Sequence, residues 1–97
     1  MLTNPPKRPG DRLRQRDDAI VAAYILHRKA REASILNRLQ NGESDIPTVV
    51  TAIYANLDPR LVKAAGMSVL AHLEDLVARG AVATNGPPSI AGRYRLA

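Results

Sequence analysis

The stretch DIPTVVTAIYANLDPRLVKAAGMSVLAHLEDLVARG, residues 45–80, decides the fold. Asp45 is an acidic cap, and Pro47 falls in the first turn after it, where no intrahelical hydrogen bond is lost. Ile46, Val49, Val50, Ile53 and Tyr54 then recur at helical spacing and form one buried face. After Asn56-Leu57, Asp58-Pro59 repeats the cap-and-proline signal and opens another helix that runs to Arg79 and stops at Gly80. Along it, Val62, Ala65, Val69, Leu73 and Leu76 step by three, four, four and three, a single apolar stripe. Two helices joined by a tight connection read as a helix-turn-helix core.

Downstream the period changes. Residues 81–84 and 93–96 alternate as short strands around the breaker-rich loop Asn85-Gly86-Pro87-Pro88-Ser89, with Val82, Tyr94 and Leu96 on one face and Arg93 and Arg95 on the other. A hairpin after a helix-turn-helix is a wing. Ser44 to Ile46 is the candidate third strand.

Upstream, Asp17 or Asp18 caps a long helix marked by Ile20, Val21, Tyr24, Ile25, Ile35, Leu36 and Leu39, which ends at Asn41-Gly42. Its middle, His27 to Ser34, is mostly polar, so its two ends are expected to pack on different things. A 97-residue winged helix has too little inner surface to cover both. The fold expectation is therefore α+β and mainly helical: a winged helix made of a long helix, a helix-turn-helix and a C-terminal β-hairpin wing over residues 17–97. Residues 1–16 carry Pro5, Pro6, Pro9, Gly10 and five basic residues with little to bury, and are expected to be a basic flexible arm or a linker remnant.

Ninety-seven residues make one domain's worth of chain. There is no Cys, Phe or Trp, and the three aromatics are Tyr24, Tyr54 and Tyr94, which speaks against disulfides, thiolate metal sites and base-stacking single-strand binding. Two histidines are too few for a zinc site without carboxylates, so no metal or cofactor is expected. The net charge of +5 lies entirely in residues 1–38, with nine Lys/Arg against four Asp/Glu; residues 39–97 hold five of each. The longest apolar run, Ala19 to Leu26, is eight residues, far short of the roughly 18 a membrane span needs. Asp11, Asp17 and Asp18 break the basic segment ahead of that run, and no small-residue cleavage site follows. A cytoplasmic protein without a membrane partner is the expectation.

The run Tyr24-Ile25-Leu26-His27-Arg28-Lys29-Ala30-Arg31-Glu32-Ala33-Ser34-Ile35-Leu36, then Ile53-Tyr54, then Leu61, Ala65, His72-Leu73, Leu76 and Gly80, resembles the C-terminal winged-helix domain of metallo-β-lactamase-fold hydrolases. The resemblance covers about residues 20–97, and Asn4-Pro5-Pro6 is similar to the Gly-Pro-Pro that ends the catalytic domain in that family, without its preceding Gly-His-Gly. The family's H-x-H-x-D-H zinc cluster, which activates a water for hydrolysis, is not in this sequence. The resemblance thus implies a non-catalytic accessory domain, excised or encoded alone, whose partner is a metallo-β-lactamase-fold catalytic domain in cis or trans, or a second copy.

Tyr24, His27, Arg28, Arg31 and Glu32 are the residues that this implies for docking. Arg28 and Glu32 also stand i,i+4, so a solvated, salt-bridged helix middle is the plain alternative. For His72, beside the third helix's stripe, a half-buried histidine with a local hydrogen-bond partner is expected, not a general base. The alternative function is a stand-alone nucleic-acid binder, with Arg12, Arg14 and Arg16 of the arm, Lys63, and Arg93 and Arg95 of the wing as candidate phosphate contacts. Against it, the outward face of the third helix would be Lys63, Ala64, Met67, Ser68, Ala71, Glu74, Asp75 and Ala78, a poor set for reading bases.

Overall fold

The computed structural model describes residues 9–97, with side chains from residue 17 onward. Helix α1 spans Pro9–Leu39, strand β1 Ser44–Asp45, helix α2 Ile46–Ile53 and helix α3 Val62–Ala78, with a single 3-10 turn, Pro59–Leu61, ahead of α3; strands β2 (Val82–Thr84) and β3 (Arg93–Leu96) complete the chain. The strands form one antiparallel sheet in the order β1-β3-β2, with Ser44 opposite Tyr94, and Val82 opposite Leu96. The expected winged helix is borne out, including its third strand.

The capping residues act as their chemistry dictates. Asp45 accepts from the Thr48 N–H at 2.9 Å, with Pro47 in the first turn of α2. Asp58 accepts from the Arg60 N–H at 2.9 Å and opens the 3-10 turn that leads into α3, so the first turn after the cap is tighter than the α-helix expected there. α3 ends because Gly80, at φ +79°, takes the left-handed conformation; its N–H then reaches the Val77 carbonyl and the Ala81 N–H the Leu76 carbonyl, satisfying two carbonyls the helix leaves free.

Contacts divide the chain into a unit ending at Ala30 and a second unit, Arg31–Ala97. The core lies in the second: Ile35 and Leu39 of α1, Ile46, Val49 and Val50 of α2, Ala65, Val69, Leu70, Leu73 and Leu76 of α3, with Val82 and Tyr94 from the wing. Tyr94 is fully buried; its hydroxyl donates to the Ser89 carbonyl at 2.6 Å and accepts the Ser89 N–H at 2.9 Å, closing the wing loop. Burial and the Ser89 bond oppose each other there, and burial wins, so the phenol titrates above its ordinary range. Gly92 permits the approach, since a Cβ there would lie 3.1 Å from the Tyr94 hydroxyl and 3.2 Å from the Ser89 carbonyl oxygen.

Four expectations need correction. α1 starts at Pro9, so neither Asp17 nor Asp18 caps it: proline suits a first turn, and Asp11-Arg12-Leu13-Arg14-Gln15-Arg16 contains mostly good helix formers. Residues 1–8 of the expected arm lie outside the described residues. Val62, the first residue of α3, is exposed, and the stripe gains Gly66 and Leu70, because α3 packs against both α2 and β2 and buries a wider arc than one row. Leu96 remains 39% exposed although it faces the same way as Val82, being the last residue of the last strand. Ile53 and Tyr54 are only half-buried at the end of α2. Among the described residues no helix is long and apolar enough to cross a membrane.

Candidate docking surface

The polar middle of α1 splits at the boundary between the two units. In the C-terminal unit, Arg31 lays its guanidinium over the Tyr54 ring, 4.2 Å from the centroid, and donates through Nη1 to the Ile53 carbonyl at 3.3 Å. Ile53 is the last residue of α2, so its carbonyl belongs to the set a helix cannot pair internally, at the negative end of the helix dipole. A cation suits that position. Glu32 pairs with Arg79 at 2.7 Å, and Arg79 also holds Asp75 one turn back at 2.9 Å. These carboxylates push the Arg79 guanidinium above its ordinary value, the Glu32 bond contributing most. The local expectation that Glu32 pairs with Arg28 is thus corrected. A tertiary partner from the end of α3 takes the carboxylate, so Arg31 and Glu32 clamp α1 to α2 and α3.

Tyr24, His27 and Arg28 are exposed. Around them the N-terminal unit presents Ile20 at 63%, Val21 at 55%, Tyr24 at 64%, Ile25 and Leu26, all large and apolar, on the same helix. The two ends of the long helix thus differ as its polar middle suggests: the early set is exposed, Ile35 and Leu39 belong to the core, and Leu36, expected in the core with them, is half-buried against it. Such a run on one helix exceeds the scattered single apolar residues normal on a surface.

Of the candidate phosphate contacts, the structure describes the side chains of those in the second unit, Lys63, Arg93 and Arg95. Arg12, Arg14 and Arg16 lie on α1, and their side chains fall outside those described. On the wing, Arg93 pairs with Glu43 at 3.0 Å and approaches Asp45 at 4.0 Å, while Arg95 reaches Asn85 at 3.4 Å. Arg60 is held by Asp58 at 2.8 Å. Each of these carboxylates cancels a charge that a nucleic-acid backbone would need. Lys63 is exposed beside an apolar groove of about 270 Å³ floored by Ile46 and Val50 and walled by Met67 and Ile90. The outward residues of α3 are all exposed as expected, Glu74 and Asp75 among them.

His72 is half-buried and engaged with its surroundings. Among the described residues, no group of three or more His, Asp or Glu is placed to hold a metal ion. Sequence reasoning missed Tyr54 and Arg79 as the partners of the α1 clamp. The available signal was their position, each at the C-terminal cap of its helix, where a cation or an aromatic ring finds carbonyls and open surface.

Residues 46–88, which hold α2, α3, β2 and most of the wing loop, match the family model described as the beta-lactamase associated winged helix domain. No curated protein matches this chain. The match follows the same elements that the caps, the α3 stripe and the Gly80 stop define, and it leaves out α1, β1 and β3. Residues 46–88 are accordingly similar to a winged-helix domain of the beta-lactamase-associated type, and the fold of the described residues agrees with that likeness.

Proposed function

We propose that the chain is a non-catalytic interaction domain that binds a protein partner through the exposed face of α1, and that a metallo-β-lactamase-fold hydrolase domain, in cis or in trans, is such a partner. The observation that carries this is the set Ile20, Val21, Tyr24 and Ile25, apolar and solvent-facing on the same helix that buries Ile35 and Leu39. Leaving that much apolar surface in water costs on the order of 25 cal/mol per Å², which a partner recovers by covering it. Tyr24 is the anchor, with His27 and Arg28 as polar contacts at the rim; Arg31 and Glu32 act one step back, by holding the helix in place. The association named in the family description supports a hydrolase domain as the partner.

The nucleic-acid reading has weaker support, because Arg60 and Arg93 are spent on carboxylates and Glu74 and Asp75 sit on the outward face of α3. The test is co-elution of the purified chain with a metallo-β-lactamase-fold hydrolase domain stripped of its own winged helix. Complex formation that Tyr24→Ala weakens at least tenfold is expected. No complex, or one indifferent to Tyr24→Ala, overturns the proposal.

A further inference from the structure

Residues 17–28 of α1 read Asp-Asp-Ala-Ile-Val-Ala-Ala-Tyr-Ile-Leu-His-Arg, and all twelve are exposed. At 3.6 residues per turn, Ile20, Val21, Tyr24 and Ile25 span an arc of about 140°, and Asp17 and Arg28 both lie within about 10° of its midline. Along that midline the order is acid, apolar, apolar, base: Asp17, Val21, Tyr24 and Arg28, spaced four, three and four. Asp18 at one end and His27 and Lys29 at the other continue the same polarity.

This pattern is its own complement when reversed. Laid antiparallel on a second copy, Asp17 of one chain meets Arg28 of the other, and Val21 meets Tyr24. The two-fold axis then passes between residues 22 and 23, at the level between Val21 and Tyr24. Laid parallel, it would set acid against acid and base against base. The spacing of four, three and four is that of a helix-pairing seam, and a two-fold contact uses one patch twice.

We propose that in the chain by itself the exposed face of α1 is covered by the same face of a second copy, antiparallel, with Asp17 and Arg28 pairing across the dimer. This rests on the reading of that face as a docking surface and names a second copy as its occupant; a hydrolase domain would compete for it. Three helical turns per chain make a contact smaller than the roughly 1,200–2,000 Å² of a standard stable interface, so the dimer is weak and concentration-dependent.

The chain has no cysteine, so introduced thiols report cleanly. Asp17→Cys and Arg28→Cys variants, mixed and oxidised at high protein concentration, should give a disulfide between the two variants, while neither alone cross-links. In sedimentation equilibrium, Asp17→Lys or Arg28→Glu should each weaken the dimer about tenfold, and the double variant should restore it, as expected for complementary charges across an interface. Cross-linking of each variant with itself would mean parallel pairing and overturn the proposal. So would a monomer at millimolar concentration, or no rescue in the double variant. If the chain is monomeric yet binds the hydrolase domain through Tyr24, this inference falls and the docking reading stands. If the dimer forms and the hydrolase domain does not bind, the hydrolase reading falls and this one stands.

Discussion

Leu73→Ala and Tyr24→Ala remove large side chains from two helices of the same chain, and the structure predicts opposite consequences. Leu73 is 0% exposed in α3 and belongs to the core shared by Ile35, Leu39, Val49, Val69 and Tyr94. Truncation to alanine deletes about three carbons, worth about 2.4 kcal/mol at ~0.8 kcal/mol per buried methylene. The void adds a further cost at about 24 cal/mol per Å³ of whatever the neighbours fail to fill, bringing the loss to about 3–4 kcal/mol, inside the ~2–5 kcal/mol range for buried leucines. Tyr24 is 64% exposed, so its truncation opens no cavity. The gain from placing alanine in a helix, up to about 0.5 kcal/mol, offsets much of the little that is lost. Urea unfolding followed by helical circular dichroism, at a concentration where the chain is monomeric, reads both. A Leu73→Ala loss below about 1 kcal/mol would mean the α3 stripe does not face the core. A Tyr24→Ala loss equal to that of Leu73→Ala would mean the first half of α1 is core and its exposed face is no partner surface.

Gly92→Ala should cost about 1–3 kcal/mol, because the added carbon meets the buried Tyr94 ring and the Ser89 carbonyl, neither free to move, and the loss reads in thermal unfolding. Asp45 and Asp58 are both held below their ordinary value of 3.8, Asp45 chiefly by hydrogen bonds from Thr48 and Asp58 chiefly by that from the Arg60 side chain. A lowered native pKa means stability that is fully present above pH 3.8 and lost as the pH falls through the native values, so Asp45→Asn should flatten the acid limb of a stability profile and leave its slope near neutrality unchanged. Binding to duplex DNA, measured by fluorescence anisotropy, should be weak and indifferent to sequence. Removal of residues 1–16 should abolish it, with a log–log salt slope no steeper than about −4.5 for the five cations of that segment.

Much of this fold was legible because its signals are local. Asp45 with Pro47, Asp58 with Pro59, and Gly80 are boundary signals that need only a few neighbours to act, and each acts where the spacing placed it. The α3 stripe was legible because Leu73 and Leu76 share one face by helical geometry alone. Errors fell at element ends, as at Val62 and Leu96, where periodicity continues but the layers to cover it stop. The start of α1 at Pro9 was missed because proline reads equally as a linker residue and as a first-turn residue. The clamp was illegible for a different reason: an i,i+4 rule offers Glu32 the nearby Arg28, and only the folded chain brings up Arg79, 47 positions away. The exposed stripe on α1 was legible by area, since Ile20 to Ile25 and Ile35 to Leu39 ask for more inner surface than two short helices and a hairpin offer.

The central claim, that the first half of α1 is a surface waiting for a partner, is tested most directly by the reactivity of one thiol at its centre. In a Val21→Cys variant the sulfur sits at a position 55% exposed in the isolated chain. Maleimide labelling should be fast in dilute protein and slowed at least tenfold by a saturating amount of the metallo-β-lactamase-fold hydrolase domain, or by raising the concentration of the chain itself. Equal labelling rates under all three conditions would contradict the account.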